Sequence, residues 1–189
     1  MPDSENISVA KIAATPSATS WSQAYNAGKL FAVLSLSRNT SEDEEKDALN
    51  VLGKEILETL EQEFFSLEVK DLSSIKKAFD EAVKKIPQDI DTSFLVSSIV
   101  KNTIYIFSAG DTRVSIQRGG EFGILVDSQD KETGATSGMI KNEDLLIFQT
   151  KDFKELVPTN ILVASLDHQS PEDIGETLGP IIHREEKGG

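Results

Sequence analysis

The sequence contains no cysteine. This absence excludes disulfide bonds, thiolate metal ligands and a cysteine nucleophile, and it is compatible with a reducing compartment. Histidine is almost as scarce, since only His168 and His183 are present. Two histidines without cysteine are too few for a zinc site, so we interpret both as surface residues.

Basic residues are also scarce relative to acidic residues. The chain has 19 Lys and Arg against 32 Asp and Glu, which gives a net charge of -13. A field of this sign repels phosphate backbones and anionic headgroups, so we expect no nucleic-acid partner and no direct membrane contact from this segment. Residues 1–6 are polar and lack the basic start and apolar stretch of a secretory signal, which favours a cytoplasmic location.

The remaining composition is typical of a folded domain. Hydrophobic residues make up 38% of the 189 residues and charged residues 27%, a mixture that can bury a sizeable core. No repeat, low-complexity tract or long linker divides the chain. We therefore expect a single domain over residues 1–189, with residues 1–6 flexible and residues 184–189 forming a flexible carboxy terminus or a cut edge.

The first part of the chain predicts strands and then two helices. Residues 7–14 and 29–36 have the apolar, β-branched character of strands, and the segment between them, which holds the only tryptophan, is a loop or a weak second strand. Apolar residues then recur at helical spacing from a capped start near Ser41 to Phe65. A second amphipathic helix over residues 72–86 ends at Pro87.

The second part predicts mainly antiparallel strands. Lys101-Asn102 suits a tight hairpin turn, Gly119-Gly120 a second turn, and the polar stretch 127–138 a surface loop. A helical turn at 153–157, a short helix or strand at 160–166 and a proline-started helix from Ser170 towards His183 complete the chain. The predicted strands, arranged as a meander and one later strand, are 92–100, 103–108, 113–117, 121–126 and 144–149. This order predicts an α+β fold, a sandwich of antiparallel sheets covered by helices.

One hairpin in this series resembles a known family. Gly110-Asp111-Thr112-Arg113, followed by a strand and an Arg-Gly-Gly turn, is similar to the Gly-Asp-Ser-Arg hairpin of metal-dependent protein serine/threonine phosphatases of the PP2C (PPM) type. Segments 91–100, 142–156 and 170–174 are similar to other family segments in the same order. The resemblance runs from about Ile7 to the end and implies a PP2C-like sandwich that lacks its last strand or is truncated there.

The resemblance also implies a chemistry, and the expected residues are largely missing. Family enzymes activate water between two Mn²⁺ or Mg²⁺ ions, which need several converging carboxylates. The two expected Asp-Gly pairs fall at Ser35-Leu36 and Lys151-Asp152, so Ser35 and Lys151 mark degenerate metal positions. A one-residue slip of register would instead place Asp152 in the second ligand role. The third ligand, expected ahead of the last strand, has no counterpart.

Asp111 is the one residue that matches a family carboxylate, at an accessory-metal position. Its alternative role is to cap backbone amides in the turn and to pair with Arg113, two residues on, and we favour this role. The family's early phosphate-handling motif is replaced across residues 16–25 by a stretch without Arg, Asp or Glu. Ser35 lacks the sequence surroundings of a nucleophile, and the acidic run 42–45 is explained by a solvated helix start.

Three functions follow from these observations. The first is a catalytically inactive, pseudophosphatase-like domain that serves as a protein-interaction or regulatory module, with a protein partner, no catalytic residue and no cofactor. The second is a divergent active phosphatase whose Mn²⁺ or Mg²⁺ site is completed either by residues beyond Gly189 or by Asp111, Asp152 and Glu155. The third is a structural or assembly domain of a larger membrane-attached protein.

Overall fold

The computed structural model describes residues 7–39, 47–129, 132–167 and 170–184. Within these ranges the chain forms two antiparallel sheets and flanking helices, which confirms the predicted fold class. The strands are β1 Ser20–Ala27, β2 Leu30–Ser37, β3 Asp91–Val100, β4 Thr103–Gly110, β5 Thr112–Arg118, β6 Glu121–Ser128, β7 Gly134–Met139 and β8 Leu145–Thr150. The helices are α1 Ala48–Ser66, α2 Leu72–Val83, α3 Lys151–Leu156, α4 Thr159–Ser165 and α5 Pro171–His183.

The larger sheet has five strands in the order β1-β2-β3-β4-β7. Its strands alternate between two apolar faces, as the period of two residues in a strand requires. In β3, Phe94 and Val96 pack against α1 and α2, whereas Leu95 points to the other side of the sheet. The first face therefore belongs to a helix-covered core, and the second faces the smaller sheet.

The smaller sheet has three strands in the order β6-β5-β8. Val114 of β5 and the partly buried Leu146 and Phe148 of β8 meet the larger sheet in an inner core. The opposite face of β8, through Leu145 and Ile147, packs on a third cluster built by α3, α4 and α5. The molecule is thus layered as helices, sheet, sheet and helices.

Close packing of α1 on β1 explains the position of the single tryptophan. A Cβ built on Gly53 of α1 would lie 2.1 Å from the Trp21 ring, so the glycine leaves room for the indole against the helix backbone. Trp21 is buried in the helix-covered core as a result. The segment before residue 29 was predicted as a loop or a weak second strand. The structure supports the strand, since β1 spans Ser20–Ala27.

Several local predictions are confirmed. The β3-β4 hairpin turns at Lys101, which adopts a positive φ of 56°. Segment 160–166 is helical, and α5 begins with a capping box in which the Ser170 and Asp173 side chains each accept a hydrogen bond from the other's backbone amide. The predicted start of the first helix at Ser41 lies outside the described residues, as does the acidic run 42–45.

Three predictions are wrong. Residues 7–14 are not a strand, and no backbone hydrogen bond joins them to another described residue. Residues 134–138, the end of the stretch 127–138 predicted as loop, belong to β7 because they pair with the edge of β4, a long-range contact that compensates for weak strand propensity. The strands after residue 92 do not form one meander, since the chain leaves the larger sheet after β4 and enters the smaller one at β5.

No helix in the described part of the chain is both long and apolar enough to span a bilayer.

Candidate functional site

The ends of β2, β3, β4 and β8 meet around one serine. Ser93 of β3 lies beside Ser35 of β2 in the sheet register and beside Gly110 of β4 on its other side. Its hydroxyl donates to the Asp111 carbonyl at 2.6 Å and accepts from the backbone N–H of Lys151 at 3.1 Å. The structure therefore places Ser35, Asp111 and Lys151 around one point of the sandwich.

The side chains at this point are mostly neutral hydroxyls. Ser22, Ser35 and Ser93 form a row across β1, β2 and β3, and their exposed fractions are 8%, 5% and 4%. A buried serine contributes no negative charge, and hard divalent ions bind best to charged oxygens. The three serines form a polar strip across the larger sheet. The hydrogen bond from the Lys151 N–H to Ser93 Oγ links this strip to the junction of β8 and α3.

Gly110 controls how the chain passes from the larger sheet to the smaller one. Its φ is +77°, and a Cβ at this position would lie 1.8 Å from the Thr92 carbonyl oxygen. Only glycine combines this left-handed conformation with such a close backbone approach. The conformation directs Asp111 away from the larger sheet and towards α3.

The Asp111 carboxylate contacts a lysine that the sequence did not single out. Lys154 of α3 places its ammonium against Asp111 Oδ1, and the same ammonium lies 3.6 Å from Asp127 Oδ1. The Lys154 side chain is only 10% exposed. A cation thus lies against the one carboxylate for which the family resemblance implies an accessory metal.

Arg113 does not pair with Asp111, which corrects the expectation from the sequence. It is the direct cross-strand partner of Asp127, and its guanidinium donates to Asp127 Oδ2 at 2.9 Å and to Thr159 Oγ1 at 3.3 Å. The hydrogen bond from Arg113 holds the pKa of Asp127 below its ordinary value of 3.8, and the charges of Arg113 and Lys154 act in the same direction.

We call Asp111, Arg113, Asp127 and Lys154 the ionic cluster. It contains two carboxylates and two cations, so its net charge is zero. Each carboxylate of the cluster contacts a cation of the same cluster, and most of these side chains are partly shielded from water. The arrangement can stabilise the β5-β6-α3 corner, but it does not present a free anionic pocket to a divalent ion.

The other predicted ligands lie nearby without completing a metal site. Lys151 is the first residue of α3, Asp152 lies in the first turn and Glu155 is exposed on the same helix. Across the described ranges, no group of three or more Asp, Glu and His side chains is arranged to hold a metal ion. The described residues therefore do not fit a binuclear Mn²⁺ or Mg²⁺ centre. His183 is exposed at the end of α5, and His168 lies outside the described residues.

Comparison with known proteins identifies the fold. The serine/threonine phosphatase PstP of Mycobacterium tuberculosis superposes with a TM-score of 0.67 at 12% identity, over 88% of this chain and 88% of that one. PppA of Pseudomonas aeruginosa, described as a key regulatory component of its T6SS, gives 0.66 at 13% identity over 89% and 92%. The phosphatase domain of the cell fate determinant SpoIIE from Bacillus subtilis gives 0.56 at 15% identity over 89% and 79%.

These likenesses show the fold of PP2C-type phosphatase domains, as the sequence resemblance implied. One of the similar structures, the PstP catalytic domain with a TM-score of 0.69 and 12% identity, was solved in complex with two manganese ions and covers 86% of this chain and 84% of its own. No protein-family model matches the sequence. No curated protein matches it either.

Proposed function

We propose that this chain is a catalytically inactive PP2C-like domain, one unit over residues 1–189, that acts in the cytoplasm as a protein-interaction or regulatory module. The observation that carries the proposal is the ionic cluster. Lys154 neutralises the only carboxylate that the family resemblance retains, while Ser35 and Lys151 occupy the two positions at which the resemblance expects aspartate.

Electrostatics explains why serine and lysine at the positions expected to hold aspartate oppose metal binding. Two divalent ions place four positive charges in one cleft, and they are stable only beside several carboxylates. Here the candidate cleft offers serine hydroxyls and a carboxylate that already contacts an ammonium. A metal at Asp111 would have to displace Lys154 and would then face the repulsion of that ammonium.

A regulatory role is supported by the kind of proteins that share the fold. PppA is described as a regulatory component of a secretion system and SpoIIE as a determinant of cell fate. Loss of the metal ligands leaves a folded scaffold whose surface remains available for binding. A protein partner suits the chain better than an anionic polymer, because its net charge is -13.

Titration with Mn²⁺ by calorimetry, together with hydrolysis of p-nitrophenyl phosphate and a phosphothreonine peptide, tests the proposal. We expect no Mn²⁺ binding tighter than about millimolar and no Mn²⁺-dependent hydrolysis, since one or two carboxylates leave a hard cation mostly hydrated. Mn²⁺-dependent hydrolysis that Asp111→Asn abolishes would establish the alternative, a divergent active phosphatase, and overturn the proposal.

The variant Lys154→Met tests the role of the lysine itself. Removing the ammonium leaves Asp111 and Asp127 without their shared cation, so we expect Mn²⁺ affinity to rise about tenfold. Lys54→Met, which removes an exposed ammonium from α1 on the other side of the larger sheet, is the matched control and should leave the affinity unchanged. Equal affinities in the two variants would show that Lys154 does not exclude the ion.

A further inference from the structure

The connection between α1 and α2 carries an exposed apolar patch. In the described part of the chain eleven large hydrophobic residues are exposed, and three of them, Phe65, Val69 and Leu72, lie within eight residues of one another. Their exposed fractions are 52%, 63% and 37%. Single exposed hydrophobic residues are normal on a protein surface, whereas a cluster of them marks an interaction site. We call these three residues the hairpin patch.

The two helices bring the three side chains to one end of the helix pair. Phe65 lies one residue before the end of α1, Leu72 is the first residue of α2, and Val69 lies between them. The helices are antiparallel neighbours, since Lys85 after α2 pairs with Glu55 near the start of α1 at 2.8 Å. The end of α1 and the start of α2 are therefore adjacent, and the hairpin patch spans both.

The hairpin patch is separate from the candidate site described above. Gly53 of α1 packs against Trp21, which precedes Ser22 of the serine row in β1. Phe65 follows Gly53 by 12 residues, which places it about 18 Å farther along the helix. None of the residues of the ionic cluster belongs to α1 or α2. A change in the patch therefore leaves the site chemistry untouched.

The backbone that carries the patch is held by local contacts. Lys70 Nζ donates to the Leu67 carbonyl at 3.2 Å and lies 5.2 Å from the centroid of the Phe64 ring. Asp71 caps α2 by accepting from the Ser74 N–H at 2.8 Å. A surface that is already ordered loses little conformational entropy when a partner binds. The patch is thus pre-organised for binding.

Acidic side chains surround the hairpin patch. They are Glu58, Glu61, Glu68 and Asp71. The first two precede Phe65 by seven and four residues, which places them on the same side of α1. Lys70 is the only basic residue within 65–72, and Lys77 of α2 partly offsets the charge of Asp71. Four carboxylates thus stand against two ammonium groups, and the rim of the patch is acidic.

We propose that the hairpin patch binds a partner polypeptide through a short basic segment with two or three apolar side chains. The apolar side chains cover the patch, and flanking Lys or Arg residues contact the acidic rim. An anionic membrane fits poorly because the rim repels it, and a second copy fits poorly because a two-fold contact brings two acidic rims together. The proposal rests on the interaction role proposed above and assigns it a surface.

Selection of peptides on the immobilised chain tests the proposal without a known partner. The probe is a library of peptides with about twelve randomised positions, and peptides that also bind the variant Val69→Glu are removed. We expect the remaining sequences to combine apolar residues with Lys or Arg. Raising the ionic strength about tenfold should weaken their binding several-fold, since salt screens exposed charges.

Two matched pairs of variants assign the binding to the patch. Val69→Glu should weaken binding about tenfold, whereas Val51→Glu, at an α1 valine with the same exposed fraction of 63%, should not. Glu68→Lys should weaken binding about fivefold because it reverses one rim charge. Glu121→Lys, at an exposed glutamate of β6, changes the net charge equally and should have no effect.

Four results would overturn the proposal. They are a selection without peptides that depend on Val69, enriched peptides without basic residues, a dimer of this chain that protects residues 65–72 from amide exchange, and binding to phosphatidylserine vesicles that Val69→Glu abolishes. The last two identify a second copy and a membrane as the occupant. None of these measurements involves Mn²⁺ or hydrolysis, so failure here leaves the inactivity proposal standing. Conversely, an active enzyme is equally able to carry the patch.

Discussion

The core between the larger sheet and α1-α2 and the core around β8 are built from similar side chains but differ in completeness. Phe79, Phe94 and Phe107 are fully buried in the first, with Phe79 ring centroids 5.1 Å from Phe94 and 5.8 Å from Phe107. In the second, residues 145–148 are apolar and still partly exposed. The comparison shows that apolar pattern alone does not guarantee burial, because burial needs a neighbouring element to cover each face.

Truncation of one phenylalanine in each core tests this contrast and should give the largest effect. Phe79→Ala removes a fully buried ring and should lower the free energy of unfolding by about 3–5 kcal/mol. Phe148→Ala removes a partly exposed ring on β8 and should cost about 1–2 kcal/mol, because less surface returns to water. Urea unfolding at unchanged m value provides the measurement. Equal losses would show that the β8 core is as complete as the other.

The connection between the two sheets should be the next most sensitive point. Gly110→Ala introduces a Cβ 1.8 Å from a backbone oxygen at a φ of +77°, so we expect a loss of about 3 kcal/mol in unfolding free energy. Gly119→Ala is the matched control, since its φ is +57° and its Cβ would meet open space. It should cost only about 1–2 kcal/mol of local strain. Thermal unfolding of both variants distinguishes the close contact from the strained dihedral.

An ion pair at the start of β8 should give a smaller, pH-dependent effect. Asp144, whose side chain is 3% exposed, accepts from Arg118 Nε at 2.7 Å and from the Lys141 amide at 2.7 Å. The hydrogen bonds from Arg118 are the main cause that lowers the pKa of Asp144 below 3.8, and burial opposes them. Asp144→Asn should cost about 1–2 kcal/mol near neutral pH.

The sign of the pH effect follows from the lowered pKa. A carboxylate that binds its proton more weakly when folded contributes stability above its unfolded pKa, and that contribution is lost as pH falls through the folded pKa. The difference between the wild-type protein and Asp144→Asn should therefore shrink below about pH 4 in acid-titrated urea unfolding. The control Asp80→Asn removes a surface pair of α2 whose side chains are each 35% exposed, and it should change stability by less than about 0.5 kcal/mol. A difference that grows in acid would contradict the assigned role of Asp144.

Local sequence features predicted most elements of the fold. The β3-β4 hairpin, the amphipathic α2 and the capped start of α5 depend on residues within a few positions of one another, so their pattern was visible along the chain. Gly134–Met139 was missed because its strand character comes from pairing with β4. Residues 7–14 have strand composition, but the neighbour that would make them a strand is absent from the described residues.

The site was predicted less completely than the fold. The sequence located Ser35, Asp111 and Lys151 through the family resemblance, and the structure places them around Ser93. It did not indicate Lys154 or Asp127 as partners of Asp111. A regular hairpin that turns at Gly119-Gly120 would pair Arg113 with Val126, but a register shift between Val114 and Ser115 brings Arg113 opposite Asp127.

The sequence by itself determined the periodicity of the elements, the acidic charge and the absence of the expected aspartates, since these are properties of residue type and spacing. Only the tertiary structure decided which cation lies against Asp111, that β7 completes the larger sheet and that β8 has an open edge. These features depend on contacts between residues far apart in the chain, and the geometry of such contacts is set by how sheets and helices pack rather than by any local pattern.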